Sequence, residues 1–208
     1  MYFHKTPRLV QLFFPNLIWQ IKTSHKDIYL TFDDGPIPDI TTWVLEELNR
    51  WQAKATFFLV GENIVEYPEI YNIILADGHA VGNHTHNHLN GWQHKQDYYL
   101  KNIVACDNAM NWQSDTNKLF RPPYGRISFK LARILAKTHK IIMWDVLSGD
   151  FDLKIPAETC LKKSINATEN GSIIVFHDNI KTGNTLKYVL PRYLKHFSER
   201  GYQFKAIN

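Results

Sequence analysis

Cysteine is scarce in this chain of 208 residues, since only Cys106 and Cys160 are present. The two lie far apart in sequence and match no metal-binding spacing, so a cysteine-based metal site is not expected. Cys106 stands among apolar residues of a predicted helix, which indicates buried, reduced thiols. The sequence leaves a disulfide bond between them open.

Long apolar runs are also missing. The run Leu12-Phe13-Phe14 is interrupted by Pro15 and Asn16, and no small-residue cleavage site follows. A secretory signal needs a longer apolar core, and a membrane span needs about 20 apolar residues. We therefore expect no stable membrane insertion, and we interpret residues 1–25 as an arm packed on a single domain of residues 1–208. Anchoring of this arm to a membrane surface is the alternative. A cytoplasmic location and one peripheral to the membrane or cell envelope both stay open.

Long basic runs, internal repeats and low-complexity linkers are absent as well. The formal net charge is only +4, and a nucleic-acid-binding protein would usually show a basic patch or stripe, so no nucleic-acid partner is expected. Hydrophobic residues make up 44% of the chain and charged residues 21%, which is typical of a globular protein. The oligomeric state cannot be read from the sequence.

What the chain does contain is a regular alternation of strand-like and helix-like segments. Strands are predicted at residues 28–32, 55–60, 79–81, 119–120, 140–146, 172–176 and 203–207. Helical spacing of apolar residues separates most of them, and the last helix contains Pro191, either as a kink or in its first turn. Repeated βα units indicate a parallel sheet. Seven strands favour a barrel, with a doubly wound open sheet as the alternative.

Polar residues of interest follow these strands. They are Asp33 and Asp34, then His84, His86 and His88, then Arg121 and Tyr124, then Asp150, and finally His177 and Asp178. In parallel α/β folds, functional sites form at the carboxyl ends of strands. Each residue taken alone also has a structural explanation, such as a tight turn at the first pair or a buried core histidine. Five strand ends that converge in this way favour a site.

The histidine pattern predicts a metal centre. His84 and His88 are four residues apart and would share one face of a helical turn. With a carboxylate from the first strand they would form a two-histidine, one-carboxylate set. His86 paired with either neighbour is the alternative. Of the adjacent carboxylates Asp33 and Asp34, one would bind metal while the other accepts a proton from water.

Together these motifs resemble the polysaccharide deacetylases, the NodB-homology group of carbohydrate esterases, over roughly residues 29–205. The segments that carry the resemblance are residues 31–36 (TFDDGP), 55–58 (ATFF), 82–88 (GNHTHNH), 121–125 (RPPYG), 150–151 (DF) and 175–177 (VFH). Several motifs in this order are far more specific than any one of them. The resemblance implies a distorted parallel β/α barrel with about seven repeats.

The resemblance also implies a metal. Asp34, His84 and His88 would hold a divalent ion, most often Zn²⁺, with Co²⁺, Ni²⁺ and Mn²⁺ as alternatives. The implied activity is metal-dependent hydrolysis of N-acetyl groups on glycans that contain N-acetylglucosamine. Peptidoglycan is the first choice of substrate, and chitin-like oligomers are the second.

Catalytic roles follow from the same resemblance. Asp33 would be the general base and His177 the general acid. Arg121 would orient and ionise Asp33, and Asp150 would pair with His177. The backbone N–H of Tyr124 would help to hold the oxyanion, which also makes Tyr124 a substrate-binding residue.

Three positions depart from the family's usual residues. Many members have Asp at the position of Leu147, Trp at that of Phe151 and Leu at that of Val175. Phe151 and Val175 stay apolar and are expected to contact substrate. The departures affect substrate preference more than activity, so an esterase acting on acetylated xylan is one alternative. A catalytically inactive glycan-binding relative and a non-haem iron oxygenase are the others.

Overall fold

A computed structural model describes residues 2–112 and 118–207. The described strands are β1 (Asp27–Asp33), β2 (Thr56–Leu59), β3 (Ala80–Asn83), β4 (Lys118–Phe120), β5 (His139–Ile141), β6 (Val146–Leu147), β7 (Ile173–His177) and β8 (Gln203–Lys205). The described helices are α1 (Arg8–Phe13), α2 (Ile40–Arg50), α3 (Gly61–Glu66), α4 (Pro68–Ala76), α5 (Gln96–Ala109), α6 (Phe129–Leu135), α7 (Ala157–Ala167) and α8 (Gly183–Ser198). A short 3-10 turn, Pro123–Gly125, precedes α6.

The strands form one parallel sheet in the order β5-β4-β3-β2-β1-β7-β6, and β8 adds to β1. The end strands β5 and β6 are joined by only residues 142–145, so the sheet must curl until its two ends come close. Arg121, just after β4, contacts Asp33 on β1 at 2.7 Å, although β3 and β2 lie between them in the sheet. The predicted distorted parallel β/α barrel is therefore confirmed, and the open-sheet alternative is wrong.

Successive side chains of β1 point to opposite faces of the sheet, and this alternation determines which of them point into the barrel. Ile28, Leu30 and Phe32 belong to the buried cluster between the sheet and its helices. Tyr29 instead packs in the smaller cluster on the other face, and Thr31 bonds to Arg121 there. Because side chains alternate along a strand, Asp33 shares this inner face, and its carboxylate lies at the mouth of the barrel.

The single strand predicted at residues 140–146 is two short strands. Between β5 and β6 the backbone changes partner at nearly every residue. The N–H of Ile142 bonds to the Phe120 carbonyl at 2.8 Å, and the N–H of Met143 bonds to the Ile18 carbonyl at 2.7 Å. The apolar run looks continuous in sequence because this segment is buried while it crosses from one end of the sheet to the other.

The N-terminal arm lies across residues 142–145, the segment that connects β5 to β6. Ile18 pairs with Ile142 in parallel, and Lys5 pairs with Val146 in antiparallel orientation. The Lys5 ammonium also forms a 2.7 Å ion pair with the buried Asp145. The arm therefore covers the place where the sheet's ends meet. Among the helices of residues 2–112 and 118–207, none combines the length and apolar character needed to cross a bilayer.

The structure also tests the predictions for the two cysteines and for Pro191. Cys106 on α5 and Cys160 on α7 are both free and buried, which confirms the reduced thiols. Pro191 lies well inside α8 (Gly183–Ser198), so the first-turn alternative is wrong. Since proline lacks an N–H, it leaves the carbonyl of Lys187 without its usual helical donor.

Candidate active site

A cavity of about 550 Å³ opens where β1, β3 and β7 end. The predicted site residues that line it are Asp33, Asp34, His84, His88, Tyr124, Phe151, Val175 and His177. Arg121 and Asp150 are fully buried behind these residues. The structure thus brings all ten predicted residues to one place.

Asp33 is held by a buried guanidinium. Arg121 Nη1 donates to Asp33 Oδ1 at 2.7 Å and to Thr31 Oγ1 at the same distance. Its other nitrogens donate to the carbonyls of Ile142 (3.2 Å) and Met143 (2.9 Å). These bonds fix the guanidinium plane, and a buried charge of this kind requires a partner of opposite sign. Arg121 therefore holds Asp33 in a fixed orientation, and Asp33 supplies the opposite charge that the buried guanidinium needs.

The ligand atoms of Asp34, His84 and His88 all lie within 4.8 Å of one another. Asp34 Oδ1 is 3.1 Å from His88 Nε2 and 3.8 Å from His84 Nε2. Ligands bound to one zinc ion at about 2.0–2.2 Å would be separated by roughly 3–4 Å. The spacing of this set therefore fits a shared divalent cation.

A loop, not the predicted helical turn, brings His84 and His88 together. Thr85 and His88 have positive φ values of 66° and 52°, so the chain turns tightly. Asn83 Oδ1 accepts from the N–H of Thr85 at 2.7 Å, and Thr85 Oγ1 accepts from the N–H of Leu89 at 3.0 Å. These bonds replace the backbone hydrogen bonds of a helix, and the two imidazole centroids lie 5.1 Å apart.

The surroundings of His84 select the tautomer that can bind a metal. Its Nδ1 lies 2.8 Å from the carbonyl oxygen of Arg121. A carbonyl oxygen only accepts, so Nδ1 carries the proton and the lone pair of Nε2 faces Asp34. Burial lowers the pKa of His84 to about 4, against the raising effect of the Asp33 carboxylate. The ring is therefore neutral at ordinary pH, as metal binding requires.

Asp34 carries the negative charge of the set. Burial would raise the pKa of Asp34, but its hydrogen bond with His88 and the nearby rings of His177 and His84 hold that pKa below the usual range. Asn179 Nδ2 also donates to Asp34 Oδ2 at 2.6 Å. A carboxylate and two imidazoles form a donor set suited to Zn²⁺ and to other divalent transition metals.

His86 does not belong to this set. An added Cβ on Gly61 would lie 2.5 Å from His86 Nδ1, so the ring packs over the first residue of α3. Its backbone N–H is held by Asn102 Oδ1 at 2.8 Å. His86 does not line the cavity, and the alternative ligand pair that includes it is wrong for this geometry.

His177 is paired with a fully buried carboxylate. Its Nδ1 lies 2.8 Å from Asp150 Oδ1, and its backbone N–H donates to Asp150 Oδ2 at 2.7 Å. Ser148 Oγ donates to the same carboxylate at 2.9 Å. Burial alone would lower the pKa of His177, but the charge and hydrogen bond of Asp150, together with the charges of Asp34 and Asp33, raise that pKa to about 9. The imidazole is therefore protonated at neutral pH.

Tyr124 forms part of the exposed rim. It sits in the 3-10 turn with a φ of 60°, and its ring centroid is 4.8 Å from that of His88. The Arg126 guanidinium lies over the same ring at 5.8 Å. Positive φ is unusual for tyrosine, and it is tolerated where the surrounding structure fixes the backbone. Here the turn places this residue beside the candidate metal ligands.

An apolar wall faces the polar groups. Leu147 on β6 pairs in register with Val175 on β7, and both line the cavity with Phe151. The Tyr2 ring lies 5.0 Å from that of Phe151, and its hydroxyl donates to Asp152 at 3.2 Å. The three positions that depart from the family pattern thus form one continuous surface.

Sequence reasoning missed several residues of the site. Asn179, Tyr2 and Trp144 line the cavity, and none of them was singled out in the sequence. Asn179 has a usable signal, because it follows the motif that ends at His177 by two residues. Asp178 is different: it is fully buried and accepts from the N–H of Gly35 (3.2 Å) and the hydroxyl of Thr41 (2.6 Å), so it holds the loop after β1.

Comparison with known proteins agrees with the geometry. The sequence model of the family described as polysaccharide deacetylase matches residues 20–140. A peptidoglycan-N-acetylglucosamine deacetylase of Bacillus cereus is 30% identical over 196 residues, which cover 91% of this chain and 90% of that relative. The deacetylase PgdA of Listeria monocytogenes is 31% identical over 89% of this chain, which spans only 39% of that longer relative.

A solved structure matches the fold closely. The crystal structure of the Bc1960 peptidoglycan N-acetylglucosamine deacetylase superposes with a TM-score of 0.88 and 27% identity, and the match covers 97% of this chain and 95% of the other. Fold, motif order and sequence similarity agree over nearly the whole chain. The chain therefore belongs to the polysaccharide deacetylase family of metal-dependent hydrolases.

Proposed function

We propose that this protein hydrolyses N-acetyl groups on glycans that contain N-acetylglucosamine, and that peptidoglycan is its substrate. The observation that carries the proposal is the convergence of three units on one cavity: the Arg121–Asp33 pair, the Asp34–His84–His88 set and the Asp150–His177 pair. Peptidoglycan is favoured because the Bacillus cereus and Listeria monocytogenes relatives are named for it.

We assign Asp34, His84 and His88 as the ligands of a divalent metal, with Zn²⁺ the preferred ion. The neutral Nε2 of His84 and the carboxylate of Asp34 are in the protonation states that zinc binding needs. When bound, the cation supplies Lewis-acid polarisation of the amide carbonyl and acidifies water. Co²⁺, Ni²⁺ and Mn²⁺ are the alternatives, since the same donors can also bind them.

We assign Asp33 as the general base. Its Oδ1 is occupied by Arg121, while Oδ2 lies 3.9 Å from His84 Nε2 and faces the candidate metal site. A carboxylate fixed in this way can accept the proton of an attacking water without first reorienting.

We assign His177 as the general acid. The leaving group of amide hydrolysis is a poor one and must be protonated as it departs. His177 carries a proton at neutral pH because Asp150, with smaller effects of Asp34 and Asp33, raises its pKa to about 9. The register pairing of His177 with Asp33 on neighbouring strands sets the acid and the base at one end of the barrel.

Tyr124 and the apolar wall complete the proposed site. The backbone N–H of Tyr124 is assigned to the developing oxyanion, for which one such donor is typically worth about 3 kcal/mol. Phe151 and Val175 are assigned to the acetyl methyl group, with Leu147 beside them. Leu147 makes this surface more apolar than the aspartate that many family members have there.

Replacement of Asp150 should change the pH profile of the enzyme. In Asp150→Asn, only the smaller effects of the Asp34 and Asp33 carboxylates still oppose the burial of His177, so the pKa of His177 should fall from about 9 toward the ordinary 6.5. A general acid works only below its pKa, so the alkaline limb of kcat should move down by about one to two pH units. Steady-state kinetics across pH 5 to 10 measures this. An unchanged alkaline limb in the variant would remove His177 from the acid role.

Acetate release with different substrates tests the substrate class. We expect N-acetylglucosamine oligomers and peptidoglycan to release acetate much faster than acetylated xylan does. A faster reaction on acetylated xylan would replace the amidase assignment with an esterase. Tight binding of oligosaccharide without acetate release, by zinc-loaded protein, would identify a glycan-binding protein instead. If chitin-like oligomers release acetate faster than peptidoglycan does, the reaction class stands and only the proposed substrate polymer changes.

A further inference from the structure

Helix α1 (Arg8–Phe13) exposes large apolar side chains. None of its residues is buried, and Leu9, Leu12 and Phe13 are 64%, 75% and 65% exposed. Phe3, earlier in the arm, is exposed to a similar degree. Single exposed apolar residues are ordinary, but several large ones within eleven positions form a patch that marks an interaction surface.

The patch is held firmly against the barrel. Phe14 stacks on Phe129 with the ring centroids 4.4 Å apart and an interplanar angle of 3°. Leu17 is buried in the same cluster as Leu131 of α6. Phe13, which precedes Phe14 in the chain, and Phe129 are both 65% exposed. Through the stack of Phe14 on Phe129, α1 and the start of α6 are held near each other, and both expose apolar side chains.

The two chain segments that form this patch carry charges of one sign only. Residues 1–26 contain no aspartate or glutamate, and neither do residues 116–144. Lys130, Arg133 and Lys137 are exposed and share one face of α6 and the turn that follows it. Glu169 lies near Arg8, but its carboxylate already forms a 2.9 Å ion pair with Lys5.

We propose that this surface docks on an anionic lipid bilayer. We define the docking patch as Phe3, Arg8, Leu9, Leu12, Phe13, Phe129, Lys130 and Arg133. Exposed leucine and phenylalanine side chains can enter the boundary between headgroups and acyl chains, while lysine and arginine interact with anionic lipids. Two copies of the patch would bring like charges together, which disfavours a second copy of this chain as the partner.

In this docked state the protein lies on the bilayer surface and does not cross the membrane. The chain segment from Arg126 at the cavity to Phe129 in the patch is only three residues long, so the docked patch would hold the cavity mouth close to the bilayer surface. The proposal does not depend on the assigned chemistry, because lipid binding can be measured without turnover.

Vesicle sedimentation tests the proposal. Purified protein is mixed with vesicles of phosphatidylcholine that contain about 30% phosphatidylglycerol, or with phosphatidylcholine alone. We expect the partition coefficient on anionic vesicles to exceed that on neutral ones by about tenfold or more, and to fall as salt is raised. Leu12→Glu with Phe13→Glu should lower it about tenfold, and Lys130→Gln with Arg133→Gln should lower it severalfold.

A matched control separates the patch from general charge effects. Val65 and Val104 are exposed apolar residues on α3 and α5, so Val65→Glu with Val104→Glu makes the same change in charge elsewhere. This control should bind like the unmodified protein. Equal binding by the α1 variant, or no preference for anionic vesicles, would overturn the proposal. A dimer that disappears in the α1 variant, without any lipid binding, would assign the patch to a second copy instead.

Discussion

Asp33→Asn should abolish turnover while the protein keeps its metal. Asparagine has the same shape and can still accept from Arg121, but its amide cannot take a proton from water. Loss of a general base typically costs between about 10² and 10⁴-fold in rate. The ligand set of Asp34, His84 and His88 is untouched by the change, so metal content should stay close to that of the unmodified protein. Acetate release and elemental analysis on the same sample measure both quantities.

The variant also weakens a buried ion pair, so stability must be controlled. Asp145 is a matched case, because it is buried and pairs with Lys5 at 2.7 Å, the distance at which Asp33 pairs with Arg121. Asp145→Asn should lose some stability, since it removes the buried negative charge that pairs with Lys5, and still retain activity. Near-normal activity in Asp33→Asn would remove Asp33 from the role of base. A folded, metal-free Asp33→Asn protein would instead assign Asp33 to metal binding.

His84→Ala should lose metal and activity together. His84 is buried, and its bond to the Arg121 carbonyl aims Nε2 at Asp34. Alanine leaves one imidazole and one carboxylate, too few protein ligands for a catalytic zinc site. We expect the bound zinc to fall from about one equivalent to a small fraction after dialysis, and the rate to fall by at least about 10³-fold.

His86→Ala is the matched control for this prediction. His86 lies two residues from both His84 and His88, yet its ring packs over Gly61 and does not line the cavity. The control should keep its zinc and most of its activity. Full zinc occupancy in His84→Ala would remove His84 from the ligand set. Loss of zinc in His86→Ala but not in His84→Ala would exchange their roles.

The candidate site was predictable because its residues follow strands. A parallel sheet brings the ends of β1, β3 and β7 to one edge, so Asp34, His84 and His177 meet although they are far apart in sequence. What pattern reasoning missed was local geometry. Spacing by four residues predicted a helical turn at His84, but the side chains of Asn83 and Thr85 support a compact loop there.

Other parts of the structure depend on contacts between distant segments. The buried run at residues 140–146 looks like one strand, and only its changing partners, Phe120 and then Ile18, show that it crosses between the sheet's ends. Tyr2 reaches the cavity because the N-terminal arm lies across residues 142–145. No local sequence pattern predicts this placement. Helix α7 (Ala157–Ala167) was not predicted, since only Cys160 and Ser164 of its side chains are buried and its apolar signal is weak.

Metal-dependent acetate release is the most direct test of the proposed function. The protein is stripped of metal, and acetate release from N-acetylglucosamine oligomers is followed before and after the addition of one equivalent of zinc. The proposed site of Asp34, His84 and His88 predicts no acetate from the stripped protein and its appearance on reloading. Acetate release at the full rate by metal-free protein, or none from protein that has been shown to bind zinc, would contradict it.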